Sequence, residues 1–331
     1  MPFNHLETIG IAGLAACVPL DGRRAPAVQT ASDLGFIAAG RVLDKGNVGR
    51  RHVGAVVYAG MTPDYRSPAT ACVLQHRLGL SRDCVAYDMN IGGAGFGYGL
   101  QAVGSLLAGL SARYALLVLG DTPSKQIPAS DSDAEVYCDA GSAVLLERHA
   151  DAAPMDIHTR AVSDKYTCMM MPGGGFRGET PMTDPEAVFT LGERHRLRHH
   201  WSVLRATVQC ELPALIEEFM RGRNMGPEAY DRVIITPADD DLWDTLPSDL
   251  RARTISGGAD GAAHALGSAI PLTLAREYGA SNASSPQRLM AAGFGEGLSF
   301  FAMEFCVRPA DVEPVIESDA AYDQGAVSHE F

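Results

Sequence analysis

Continuous apolar runs alternate with stretches of helical spacing along the first half of the chain. Five runs have the length and composition of buried strands, at residues 9–18, 53–60, 84–90, 114–120 and 143–147. Helical spacing of apolar residues occurs between them, at residues 34–44, 71–80 and 96–110. Strands without polar alternation must be covered on both faces, so the pattern predicts an α/β fold with helices on both sides of a sheet.

The second half of the chain repeats this order of elements. Helical and strand patterns follow one another at residues 201–221, 231–238, 262–277, 288–295 and 300–307. The strand sequence VGAVVYAG of the first half has a counterpart in DRVIITPA of the second half. We therefore predict two similar halves, residues 1–155 and 156–310.

Two segments fall outside this repeat. Residues 163–200 contain three consecutive methionines, three consecutive glycines and a basic cluster, and we predict that they form a loop or cap over one end of the molecule. The basic cluster, residues 194–200, is predicted to be a solvated helix face. The acidic tail, residues 311–331, is predicted to be loose.

The sequence YDMNIGGAGFGYGL, residues 87–100, predicts a strand, a glycine turn and the start of a helix. Enzymes often place a nucleophile at such a junction, but residues 92–95 are only Gly-Gly-Ala-Gly. A Gly-x-Gly-x-x-Ala match at residues 97–102 lies inside the helix, so it does not indicate a dinucleotide site. The adjacent His199 and His200 lack the spacing of metal ligands. We predict neither a metal nor another cofactor.

Composition narrows the classes of partner. The formal net charge is −13, which disfavours binding to the phosphate backbone of a nucleic acid. The seven cysteines are scattered and never in a C-x-x-C spacing, which is typical of reduced thiols in an intracellular protein. Residues 1–10 do not have the basic stretch and the long apolar run of a signal peptide, so we expect none. No stretch of about twenty residues is strongly apolar and free of charge. We expect a cytoplasmic protein without a membrane span.

The glycine turn also carries a resemblance to a known family. The stretch CVAYDMNIGGAGFGYGLQAVGSLLAGLSARYALLVLGD, followed by YCDAGSAVLLE, is similar to the ketosynthase III family of the thiolase superfamily. The similarity continues in DYRSPATACVLQHRLGL, YDRVIITPADDDL, AHALGSAIPLTLARE and AAGFGEGLSFFAMEF, and it covers most of residues 8–307. The resemblance implies a thiolase-like fold, in which two similar βαβ-type halves form a five-layer α-β-α-β-α core.

The family has a Cys-His-Asn triad, and all three positions are replaced in this chain. The residue that matches the acyl-accepting cysteine is Gly93, and Ala238 follows the proline where the family has its histidine. Counting back from Pro271 places His264 at the asparagine position. His264 is then the only candidate base, and the alternative is a hydrogen-bonded core histidine. For Gly93 the alternative is a glycine that lets helix and strand pack closely.

The resemblance also assigns residues to the acyl pocket. Glu296, in the motif GFGEG, matches the family's oxyanion-hole glycine. A carboxylate there would oppose a developing oxyanion, unless the side chain points away. Phe294 of the same motif is a further pocket candidate, as are Tyr137 and Cys138 beside the pocket wall. For Cys138 the alternative is a buried small apolar residue.

Two departures from the family disfavour its usual acyl donors. The chain passes from AACVPLDGRRAPAVQTASDLGF almost directly into its first helix, so much of the family's coenzyme A site is predicted to be missing. The helix after Ala238 is basic in the family and acidic here, which would repel an acidic acyl carrier protein. Its aspartates are Asp239, Asp240, Asp241, Asp244 and Asp249. The basic cluster is the one candidate replacement for the docking patch.

Three functions fit these features. The first is a non-catalytic subunit of acyl, polyketide or fatty-acid-type biosynthesis, either as a homodimer or as a heterodimer with an active ketosynthase-like paralogue. The second is an active acyltransferase, condensing or hydrolytic enzyme without a cysteine intermediate, which uses backbone donors at Gly93 and Glu296 and His264 as base. The third is a small-molecule binding or sensing protein that reuses the empty cavity. The expected ligand is an acyl thioester or another small molecule.

Overall fold

The computed structural model describes residues 4–173, 195–236, 245–255 and 264–323. These residues form two large mixed β-sheets, a short two-stranded ribbon and helices packed against the sheets. Every apolar run that predicts a strand in the first half lies in one of the large sheets. The predicted α/β fold is confirmed.

The six-stranded sheet contains most strands of the first half. From edge to edge its strands are β13 (Ile316–Ser318), β2 (Ile9–Pro19), β6 (Ala140–Arg148), β5 (Tyr114–Asp121), β3 (Val53–Ala59) and β4 (Val85–Met89). Strand β3 runs parallel to β4 and β5, whereas β6 runs antiparallel to β5 and β2.

The five-stranded sheet is built mainly from the second half. From edge to edge its strands are β1 (Asn4–Leu6), β7 (Met155–Ala161), β12 (Ser299–Val307), β11 (Gln287–Gly295) and β10 (Arg232–Thr236). Each sheet therefore receives an edge strand from the opposite end of the chain, β1 in one case and β13 in the other. The ribbon pairs β8 (Met169–Met170) with β9 (Arg198–His199).

Helices fill three layers around the two sheets. They are α1 (Ala31–Lys45), α2 (Thr70–Arg77), α3 (Gly95–Gly109), α4 (Trp201–Arg223), α5 (Ser248–Arg251) and α6 (Ala269–Tyr278). Helices α1 and α2 share a core with the outer face of the six-stranded sheet. Helices α3 and α6 lie between the sheets, and α4 covers the outer face of the five-stranded sheet. The layers thus alternate α-β-α-β-α, as the resemblance implies.

Three local predictions are wrong. The tail is not loose up to residue 323, because β13 pairs with β2 and Val312 is buried beside it. The predicted helix at residues 262–277 begins only at Ala269, after an isolated bridge at His264 and a left-handed Leu266. The basic cluster is not a helix face, since residues 198–199 form β9 before α4 begins. The rest of the loop at 163–200 lies partly outside the described residues.

Within the described ranges, no helix is both long enough and apolar enough to cross a membrane. All seven cysteines are described, and none of them forms a disulfide.

Candidate functional site

The glycine turn joins β4 to α3 and is closed from the opposite sheet. Glu296, which follows β11 directly, extends its carboxylate into the turn. Its Oε2 atom accepts hydrogen bonds from the backbone N–H of Gly92 at 3.0 Å and of Gly93 at 3.2 Å. The alternative that the Glu296 side chain points away is therefore wrong. The carboxylate occupies the backbone donors at this end of the turn.

Close packing explains why residue 93 is glycine. A Cβ atom built on Gly93 would lie 2.5 Å from the carbonyl oxygen of Phe294, which is a backbone atom and cannot turn aside. A Cβ on Gly92 would lie 2.8 Å from Oε1 of Glu296. The turn and the loop after β11 are thus in direct contact, and any side chain at position 93 requires the backbone to shift.

A second buried carboxyl group lies near Glu296. Asp121 ends β5, and its Oδ1 atom accepts hydrogen bonds from the backbone N–H of Met61 at 2.7 Å and of Thr62 at 3.1 Å. Burial and then the charge of Glu296 raise the pKa of Asp121 well above its usual range. Burial also raises the pKa of Glu296, although its backbone hydrogen bonds act in the opposite direction. Burial therefore favours the neutral acid at both positions.

His264 lies beside the turn on an extended segment. Its backbone bridges residues 136–138: the His264 N–H donates to the Val136 carbonyl at 2.6 Å, and the Cys138 N–H donates to the His264 carbonyl at 3.1 Å. Burial lowers the pKa of the imidazole to about 4. Among the described residues, neither ring nitrogen has a hydrogen-bond partner. His264 is thus a neutral imidazole at neutral pH, with one donor and one acceptor unused.

Tyr137 belongs to a hydrogen-bonded chain that the sequence analysis missed. Its hydroxyl lies 2.7 Å from Nε2 of His199, and Nδ1 of His199 lies 3.0 Å from Oδ2 of Asp133. The indole N–H of Trp201 donates to Oδ1 of Asp133 at 3.1 Å. The His199 ring is nearly parallel to the rings of Tyr137 and Trp201, at centroid distances of 5.6 and 4.4 Å. The His199 side chain is fully buried. Its position among the charged residues of the basic cluster did not indicate this.

The ribbon fixes His199 in this position. Met169 of β8 is the register partner of His199, and the backbone N–H of His200 donates to the Cys168 carbonyl at 2.8 Å. Burial lowers the pKa of His199, while the charge of Asp133 opposes that change. Burial is also the first cause that raises the pKa of Tyr137.

A cavity of about 320 Å³ lies between these groups and α4. Gly93, Phe294, Tyr137 and His264 line one part of it, so the structure brings four of the predicted site residues together. One stripe of α4 lines the opposite part, with Trp201, Leu204, Arg205, Val208 and Gln209. Those residues are spaced three or four apart, or adjacent, so they share one helix face.

Two other predicted positions have different outcomes. Cys138 is buried, and burial raises the pKa of its thiol to about 11, which favours the role of a small buried residue over that of a nucleophile. Ala238 lies outside the described residues, as do Asp239, Asp240, Asp241 and Asp244, so these assignments stay predictions. Asp249 is described, and its carboxylate accepts the backbone N–H of Leu250 at 3.0 Å. The described residues contain no cluster of His, Cys, Asp and Glu side chains that could hold a metal ion.

Comparisons with known proteins agree with this architecture. The sequence model described as 3-oxoacyl-[acyl-carrier-protein] synthase III matches residues 87–164. The beta-ketoacyl-[acyl-carrier-protein] synthase III of Rhodopirellula baltica is 28% identical, over 85% of this chain and 86% of its own length.

Solved structures show the same fold. The crystal structure of 3-oxoacyl-(acyl-carrier protein) synthase from Burkholderia xenovorans LB400 has a TM-score of 0.86 at 24% identity, covering 96% of this chain and 99% of its own. A cysteine variant of OleA from Xanthomonas campestris, solved with lauric acid and lauroyl-CoA, has a TM-score of 0.72 at 18% identity, covering 91% and 99%. The predicted thiolase-like fold is confirmed.

Proposed function

The chain belongs to the ketosynthase III family, and from this premise we propose that it is a subunit that binds an acyl chain without attaching it covalently. In this proposal the covalent step belongs to a cysteine-bearing ketosynthase paralogue, with which the chain assembles. The pathway is one that builds or transfers acyl groups, as the family name implies.

The observation that carries the proposal is the contact of Glu296 with the glycine turn. The carboxylate takes up the N–H groups of Gly92 and Gly93, at the position where the resemblance puts an acyl-accepting thiol. A negative or hydrogen-bonded carboxyl group there competes with any oxyanion for the same donors. The turn therefore lacks both a nucleophile and a vacant N–H group at Gly93.

The cavity supports a binding role. Leu204, Val208 and Phe294 give it apolar walls that suit a hydrocarbon chain. The OleA structure holds lauric acid and lauroyl-CoA, which shows that a protein of this fold accommodates such a chain. We propose that an acyl thioester or the corresponding acid occupies the cavity here.

Strand β4 offers a surface for the partner chain. Within the described sheet it lies at the edge and pairs only with β3, and each of its five residues is at least partly exposed. Val85 is 37% exposed, and Tyr87 and Met89 are partly buried against the core. An exposed strand edge of this kind is a template for pairing with a second strand.

One observation favours a second candidate, an active enzyme without an acyl-cysteine intermediate. His264 lines the cavity, and its buried ring nitrogens have no hydrogen-bond partner among the described residues, so the imidazole can act on a bound thioester once its ring turns toward the cavity. A pKa of about 4 makes His264 a weak base at neutral pH, which is why this candidate ranks second.

Intact-mass spectrometry with lauroyl-N-acetylcysteamine separates the two candidates. The starting protein is the double variant Cys72→Ser/Cys210→Ser, because those two cysteines are exposed and could be acylated non-specifically. We expect the thioester to bind to this chain with no adduct and no thiol release. With a cysteine-bearing paralogue added, we expect the adduct on the paralogue.

An acyl adduct on this chain contradicts the proposal. Thiol release by the chain alone, abolished by His264→Ala, also contradicts it and supports the second candidate. The matched control is His149→Ala, which removes a histidine that does not line the cavity.

A further inference from the structure

We call the side of the cavity lined by Asp133, Tyr137 and His264 the Tyr137 wall. The hydrogen bonds of this wall determine which group donates and which accepts. Asp133 accepts hydrogen bonds from Nδ1 of His199 and from the indole N–H of Trp201. The His199 side chain has no exposed surface, and the Asp133 side chain is 21% exposed. Since a carboxylate only accepts, Nδ1 of His199 carries the proton in this pair.

The same chain fixes the hydroxyl of Tyr137. Burial lowers the pKa of His199, so the ring carries a single proton, and that proton is on Nδ1. Nε2 is then an acceptor, and the Tyr137 hydroxyl at 2.7 Å must donate to it. The hydroxyl proton is thereby committed, and the Tyr137 oxygen can offer a ligand only a hydrogen-bond acceptor.

His264 provides the complementary group. Its ring lies 6.1 Å from that of Tyr137, measured between centroids, and both residues line the cavity. As a neutral imidazole it has an N–H donor, with no partner among the described residues. A buried donor without a partner destabilises the protein until a ligand satisfies it.

We propose that the cavity selects acyl groups that carry a hydroxyl close to the carbonyl, such as 3-hydroxyacyl groups; this inference rests on the proposed acyl-binding function. The ligand hydroxyl donates to the Tyr137 oxygen, and the ligand carbonyl accepts the N–H of His264, whose ring must turn toward the cavity because its nitrogens are buried. The hydrocarbon chain lies along the apolar face of α4. An acyl group that has only acceptors near its carbonyl leaves the Tyr137 oxygen facing another acceptor.

Three thioesters of N-acetylcysteamine test this selectivity: octanoyl, 3-hydroxyoctanoyl and 3-methoxyoctanoyl. Dissociation constants come from isothermal titration calorimetry with the full chain. We expect the 3-hydroxy ligand to bind about five-fold more tightly than octanoyl, since one hydrogen bond contributes a factor of this order. We expect the 3-methoxy ligand to bind no more tightly than octanoyl, because its oxygen cannot donate.

Two variants separate ligand recognition from structural effects. Tyr137→Phe is expected to abolish the preference for the 3-hydroxy ligand over octanoyl, measured as the ratio of their two dissociation constants. His199→Phe retains an aromatic ring in the stack and frees the Tyr137 hydroxyl to donate. We therefore expect it to improve binding of the 3-methoxy ligand relative to octanoyl, a change that a general loss of packing does not produce.

The outcomes distinguish the inference from the function on which it rests. Equal binding of all three ligands to the unmodified chain overturns the inference and leaves the acyl-binding function intact. Tighter binding of the 3-methoxy ligand than of the 3-hydroxy ligand also overturns it, since the Tyr137 hydroxyl would then be the donor. If none of the three ligands binds, the proposed acyl-binding function fails, and the inference fails with it.

Discussion

The glycine turn and the Tyr137 wall lie on the same cavity, but their polar groups are satisfied in opposite ways. At the turn, the carboxylate of Glu296 satisfies the backbone donors from within the protein. At the wall, the chain from Asp133 through His199 holds the Tyr137 hydroxyl, and the ring nitrogens of His264 remain without partners among the described residues. The glycine turn is thus closed at the position where the resemblance implies an acyl-accepting cysteine, whereas the buried ring of His264 beside it has no partner among the described residues.

The largest expected effect tests whether the turn is closed by packing. Gly93→Cys puts a thiol at the position where the resemblance implies one, but its Cβ atom would lie 2.5 Å from the Phe294 carbonyl oxygen. Overpacking of this kind costs about 3 kcal/mol, so we expect a loss of that size in the free energy of unfolding, measured in urea.

The matched control is Gly40→Ala in α1, where an added Cβ meets nothing within 4 Å. We expect this change to raise stability by about 0.5 kcal/mol, because alanine is the better helix former. If Gly93→Cys were as stable as the unmodified chain, the turn would have room for a nucleophile, and the contrast with the wall would disappear.

An intermediate effect is expected at the open wall. Asp133→Asn keeps the shape of the side chain but turns one acceptor oxygen into a donor, against the donors of His199 and Trp201. Loss of one charge-assisted hydrogen bond and weakening of the other should lower the free energy of unfolding by about 2 kcal/mol. Thermal unfolding followed by calorimetry checks this value.

Glu135→Gln is the control for that variant. Glu135 lies two residues away in the same turn, its side chain is 82% exposed, and it pairs with Arg23. An exposed ion pair contributes little, so a change of less than about 0.5 kcal/mol is expected. Equal effects of the two variants would mean that the wall is no more ordered than the surface.

The strands could be predicted from the sequence, but the contacts at the glycine turn could not. Apolar runs such as VGAVVYAG and ALLVLG predicted buried strands, because burial of a whole strand leaves a continuous hydrophobic signature. The direction of the Glu296 side chain could not be predicted, since it depends on how closely the loop after β11 approaches the turn. The family resemblance located Glu296 at the site, but only the packing of the turn against the loop after β11 decided what its side chain touches.

The wall was harder to foresee because its members are distant in sequence. Asp133 and His199 are separated by 66 residues, and His199 is positioned by the short pairing of β8 with β9. Because arginines lie close to it in the sequence, His199 was predicted to be solvated, although its side chain is fully buried. The prediction of a loose tail was wrong because only three residues of β13 pair with β2. A strand this short leaves no periodic pattern in the sequence.

The smallest expected effect concerns whether the protonated or the ionised form of the Glu296 carboxyl group bonds to the glycine turn. Burial raises the pKa of Glu296 in the folded protein above its ordinary value of 4.5, and that of Asp121 above 3.8. A raised pKa means that the folded state holds its proton more tightly than the unfolded state does. The stabilising contribution is therefore present below pH 4.5 and is lost as the pH rises through the folded-state pKa.

Glu296→Gln removes this titration, and its amide oxygen can still accept the N–H groups of Gly92 and Gly93. Relative to this variant, the unmodified chain should lose unfolding free energy between pH 4.5 and pH 7, measured in urea at each pH. Glu317→Gln, at an exposed position, should show no such trend. If the unmodified chain instead gained stability relative to Glu296→Gln as the pH rose, the two N–H groups would favour the charged carboxylate. The turn would then be an anion site that Glu296 fills, and both sides of the cavity would be built to bind a polar group.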